Sequence, residues 1–112
     1  MPERDYRLYF SDISESCQAI FEYIEEMSFE AFCRDRKTYS AVIREFEIIG
    51  EAVGKLPDSM KSEYKNIDWQ DIKDFRNLLI HEYFGVDLEI VWKIIQDDLP
   101  NLSEAVNELL KK

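Results

Sequence analysis

No stretch of this sequence approaches the roughly 20 consecutive apolar residues that cross a bilayer, and its first ten residues, MPERDYRLYF, contain no apolar signal core. A cytoplasmic protein with no membrane role is expected. Histidine occurs once and cysteine twice, at Cys17 and Cys33, too few for a disulfide framework or a four-ligand zinc site. Both thiols are expected reduced and partly buried, and no metal or other cofactor is expected. Only three glycines and three prolines are available for turns, which disfavours many short strands and favours long helices. Positive charge is also scarce. Fourteen Lys and Arg face twenty-four Asp and Glu, a net charge of −10. That balance excludes a broad electrostatic hold on DNA or on an anionic membrane, because phosphate neutralisation drives such binding. RNA is admitted only at a local positive spot or through a partner.

The apolar residues, 46% of the chain, are enough for one core and are set at helical spacing. Tyr6, Phe10, Ile13, Cys17, Ile20, Ile24 and Met27 alternate by fours and threes, which predicts a helix over about residues 5–27. Ser28 reads as the cap of a short helix, FEAFCRD. Val42, Phe46, Ile49, Val53 and Leu56 stripe a second long helix, with Thr38 as its expected cap and Gly50 permitting close packing. Pro57 breaks it, and Asp58 reads as the cap of another short helix. Asp68 opens a third long helix that Gly85 closes. Asp87 caps a fourth, which Pro100 either kinks or divides from a last one. The expected fold is all-α: one domain over residues 1–112, an antiparallel bundle of about four long helices plus short ones.

The stretch DFRNLLIHEYFGVD holds the lone histidine, His81, five residues after Arg76 and two before Tyr83. On an ideal helix Ile72, Phe75, Leu79 and Tyr83 share the core side, with Arg76 at its edge. Asn77 and His81 are neighbours on the other side. Trp69, Ile80 and Phe84 fall between, as on a face that meets a second copy. One helix does not cluster Arg76, His81 and Tyr83, but two copies across a two-fold axis can supply the parts for RNA cleavage. RNA brings its own nucleophile, the 2′-hydroxyl. Histidine can carry either proton transfer, and arginine offers phosphate a planar fork. From spacing alone the bland readings stand beside this one: a histidine suited to a helix C-terminus, a half-buried core tyrosine, a solvated arginine. Trp69 and Trp92 read as core or interface anchors.

RNLLIHEY, residues 76–83, resembles the Arg-x4-His-x-Tyr signature of HEPN domains, in the HepT-like branch of small toxins. IREFEIIGEAVGKLP, IDWQDIKDFRN and HEYFGVDLEIVW are similar to that branch in order and spacing, so the likeness covers about residues 39–92. It implies a HEPN-like helical bundle that dimerises to form a shared cleft and cleaves RNA without a metal. Arg76 and His81 would be catalytic, and Asn77 would orient the phosphate or the imidazole. The resemblance further implies the toxin of a HepT/MntA pair, whose nucleotidyltransferase antitoxin silences it by transferring AMP to Tyr83. Two alternatives stay open: a non-catalytic HEPN module that completes a nucleotidyltransferase complex, and a helical dimer with no chemistry.

Overall fold

The computed structural model describes residues 4–65, 67–70, 72–74 and 87–111, and every regular element among them is helical. The first, α1 (Arg4–Tyr23), is followed by α2 (Phe29–Arg34), α3 (Arg36–Gly54), α4 (Asp58–Lys61), α5 (Leu88–Asp97) and α6 (Leu99–Lys111). Residues 69–70 and 72–74 are helical as well. The all-α expectation holds. Among the described residues no helix is long and apolar enough to cross a membrane.

Helix α1 packs on α3 and α6, and side-chain pairs give the directions. Arg7 Nη2 donates to the Leu110 carbonyl at 2.7 Å and Ser14 Oγ to Asn107 Oδ1 at 2.7 Å, so α1 and α6 run antiparallel. Lys55 Nζ lies 5.7 Å from the Tyr9 ring centroid while Tyr23 Oη donates to Glu45 Oε2, so α1 also runs antiparallel to α3. The fours-and-threes stripe is the cause. Phe10, Ile13, Cys17 and Ile20 are buried against Val42, Phe46, Ile49, Val53 and Leu56, with Leu102, Val106 and Leu109 of α6 in the same core. Gly50 is buried too. Both thiols are free. Cys17 is fully buried, and burial pushes its thiol up to about 12, which leaves it inert; Cys33 is half-buried.

Three boundaries differ from the sequence expectation. Helix α1 ends at Tyr23 rather than near Met27, because Glu26 adopts a left-handed conformation (φ 63°) and the Met27 N–H turns back to the Ile24 carbonyl at 2.9 Å. Ile24 still packs on the core from beyond the helix end. Helix α3 starts earlier than expected. Asp35, not Thr38, is its cap: Oδ1 accepts from the Thr38 N–H at 3.1 Å and Oδ2 from the Thr38 hydroxyl at 2.8 Å. Those two hydrogen bonds hold the Asp35 carboxyl below its usual range. Asp58 begins α4 from inside, Pro57 standing at the cap position with no side-chain bond. Ser28 and Asp87 cap as expected, accepting from the Ala31 and Glu89 N–H groups. Pro100 sits in the first turn of α6, where its missing N–H leaves no helix bond unmade, so it divides the last two helices.

The left-handed residue yields a stability prediction. A side chain at positive φ carries a steric penalty that glycine avoids. Glu26→Gly is expected to raise stability by about 0.5–1 kcal/mol, a rise of about 4 °C in thermal midpoint. A lower midpoint than the parent's would show that the Glu26 side chain, not the backbone, governs that turn.

Candidate functional site

The site residues expected from the sequence lie between Asp74 and Asp87, and both flanks of that stretch are held by the core. On the upstream side the Ile72 N–H bonds the Asp68 carbonyl at 3.2 Å, the backbone pattern of a helix opened by Asp68. Ile67 and Ile72 are buried, and Trp69 is half-buried against the core. Its indole N–H donates to the Lys61 carbonyl at 2.9 Å, which ties the start of this helical stretch to the end of α4. On the downstream side Asp87 caps α5, whose Val91 and Ile95 are buried. Trp92 lies 5.1 Å from Phe32 and 6.0 Å from Phe29, ring centroid to ring centroid, so α2 braces α5. Arg76, Asn77, His81 and Tyr83 lie outside the described residues, as do Ile80, Phe84 and Gly85.

Ile72 shares a void of about 10 Å³ with Phe46, Ile49, Ile94, Leu99, Leu102 and Asp98. The space is lined almost wholly by apolar side chains. Among the described residues Asp98 is the one ionisable group there. Desolvation raises its pKa above the ordinary 3.8; Asp97 and Asp68 repel it in the same direction, and Lys93 partly offsets them. By sequence Asp98 falls within the expected fourth helix, LEIVWKIIQDDL, and nothing in its residue type marks a desolvated position.

The folded chain holds the Asp98 proton more tightly than the unfolded chain, so stability falls as pH rises from about 4 through the raised folded pKa. Asp98→Asn removes the charge and is expected to raise the thermal midpoint at about pH 7, with the gain vanishing toward about pH 4. A gain of equal size across that range would show that the carboxylate is not the cause.

Residues 13–109 match the family described as Ribonuclease HepT-like. The chain belongs to that family. The matched range spans both flanks, the three signature positions of this HepT-like chain and Asn77. Among its relatives is "Putative RNase MJ0127" of Methanocaldococcus jannaschii, 39% identical over 99% of this chain and 92% of its own length. Another is "Probable ribonuclease HepT" of Thermococcus cleftensis, 40% identical over 97% of this chain and 99% of its own. No solved structure matches the HepT-like chain. Among its described residues no three His, Cys, Asp or Glu side chains gather as a metal site would require.

Proposed function

We propose that this chain is a metal-independent endoribonuclease, acting as a cytoplasmic homodimer whose active site combines Arg76 and His81 from both copies. The whole chain, residues 1–112, serves as one domain. The observation that carries the reading is the family match across residues 13–109, which contains the complete signature Arg76, His81 and Tyr83 within RNLLIHEY. In the reaction one His81 takes the proton of the 2′-hydroxyl, whose oxygen attacks the adjacent phosphorus. The P–O5′ bond breaks, and the second copy's His81 protonates the departing 5′ oxygen. Arg76 offsets charge on the phosphoryl oxygens, and Asn77 orients the phosphate or the imidazole. The products are a 2′,3′-cyclic phosphate and a 5′-hydroxyl.

In this reading the protein is the toxin of a HepT/MntA-type pair. The partner is a nucleotidyltransferase antitoxin that transfers AMP from ATP to Tyr83 and releases pyrophosphate. A phosphodiester-linked adenylate there adds negative charge in the same segment as Arg76 and fills the RNA groove, which silences cleavage.

The test is incubation of purified, unmodified protein with a cellular RNA pool in the presence of EDTA. Cleavage that survives the chelator and leaves cyclic-phosphate ends supports the reading. No cleavage, with intact mass confirming a bare Tyr83, overturns it in favour of a non-catalytic module within a nucleotidyltransferase complex.

A further inference from the structure

The chain has ten more acidic than basic charges, yet the described residues lining one open groove of about 410 Å³ carry the opposite balance. Among the described residues its lining is Lys61, Lys65 and Lys73 against one carboxylate, Asp58, together with Ser62, Trp69 and Gln70. The nearby carboxylates Glu63, Asp68 and Asp74 are not part of the lining, and the Gln70 side-chain amide occupies Asp74 at 2.9 Å. None of the three lysines makes an ion pair among the described residues. Trp69 is fixed as a wall, its indole N–H on the Lys61 carbonyl and its ring half-buried against the core. Lys73 lies three positions before Arg76 in sequence, so the groove belongs to the helical stretch that leads into the signature.

We infer that this groove is a substrate-binding track for single-stranded RNA, outside the catalytic residues. The lysines contact successive phosphates, and Trp69 offers a base its aromatic face. Ammonium groups beside an anchored aromatic ring are the two parts that hold a single strand without reading its sequence. An acidic chain that grips RNA needs such a local reversal of charge, since its remaining surface repels phosphate. The inference rests on the ribonuclease reading for its choice of polyanion, but binding can be measured apart from cleavage.

The test uses the full chain carrying His81→Ala, titrated into a fluorescein-labelled single-stranded oligoribonucleotide at several salt concentrations. The combined variant Lys61→Gln, Lys65→Gln and Lys73→Gln is expected to bind about tenfold more weakly, with a salt slope smaller by about 2, given roughly 0.7 per phosphate contact on a single strand. A charge-matched control, Arg36→Gln, Lys37→Gln and Lys111→Gln, removes as much charge from exposed positions outside the groove. Equal loss in both variants would overturn the groove and leave only net charge. Unchanged RNA affinity in the groove variant would overturn it too, as would a loss confined to poly-glutamate, which would assign the lysines to an acidic protein partner. Cleavage by the parent with no binding difference sinks the groove alone. A binding difference without cleavage by the parent upholds the groove while the nuclease reading falls.

Discussion

His81→Ala is expected to lower the rate of RNA cleavage by about 10²–10⁴-fold, the usual worth of a positioned general acid or base. The chain has no second histidine to take over the proton transfer. In a site built from two copies each His81 has a different task, so one substitution removes both the acid and the base. Mixing the variant with an excess of Arg76→Ala subunits therefore supplies a sharper check. If the two copies share one site, mixed dimers keep a fraction of the activity that neither homodimer shows. Activity is to be read beside thermal midpoints, with parent and variant matched in stability. A His81→Ala protein that cleaves at the parental rate removes the histidine from the chemistry, and a strictly additive mixture removes the shared site.

Phe32→Ala is expected to destabilise the fold by about 3–5 kcal/mol, the range for truncating a buried aromatic. Phe32 is fully buried, edge-on to Tyr39 of α3 at 6.3 Å between centroids and tilted against Trp92 of α5 at 5.1 Å. One side chain of the six-residue α2 thus connects the long α3 to the helix that follows the signature segment. Losing it opens a cavity and ends two aromatic contacts, each worth about 0.5–1.5 kcal/mol beyond burial. Total stability of a domain this size is about 5–15 kcal/mol, so the variant approaches unfolding. Phe32→Leu, which keeps most of the volume, is the companion measurement and is expected to lose less than half as much. Denaturant midpoints for both decide it. A shift in Phe32→Ala no larger than in Phe32→Leu would mean that α2 lies on the core without bracing it.

The helices were legible wherever an apolar stripe ran unbroken. The stripes of α1 and α3 name the residues that are buried, because a repeat of fours and threes has only one way to put its apolar side inside. Ends were less legible. Thr38 and Asp35 are both good caps by residue type, and the choice fell to Asp35 because its backbone N–H also closes α2 on the Phe32 carbonyl. At Asp58 the residue type misled in the same way, since proline already supplied the extended backbone that a cap position needs. The end of α1 was out of reach, because nothing in the residue type of Glu26 announces a left-handed backbone.

By itself the sequence determined the all-α class, the membership of the core stripes and the family to which the chain belongs. Each of these depends on residue type and spacing along one strand of chain. Two features needed the tertiary structure. Asp98 carries no signal in the sequence; packing puts the apolar side chains of Phe46, Ile49 and Ile72 around it, which desolvates its carboxylate. Lys61, Lys65, Trp69 and Lys73 recur every fourth position, yet no single helix carries them, since α4 stops at Lys61 and the next helical stretch starts at Trp69. The turn between the two, held by the Trp69 indole on the Lys61 carbonyl, brings them to one groove. Local charge is a property of surface position. An acidic chain can still present a basic groove, because charges sum over the space around a ligand and not over the length of the sequence.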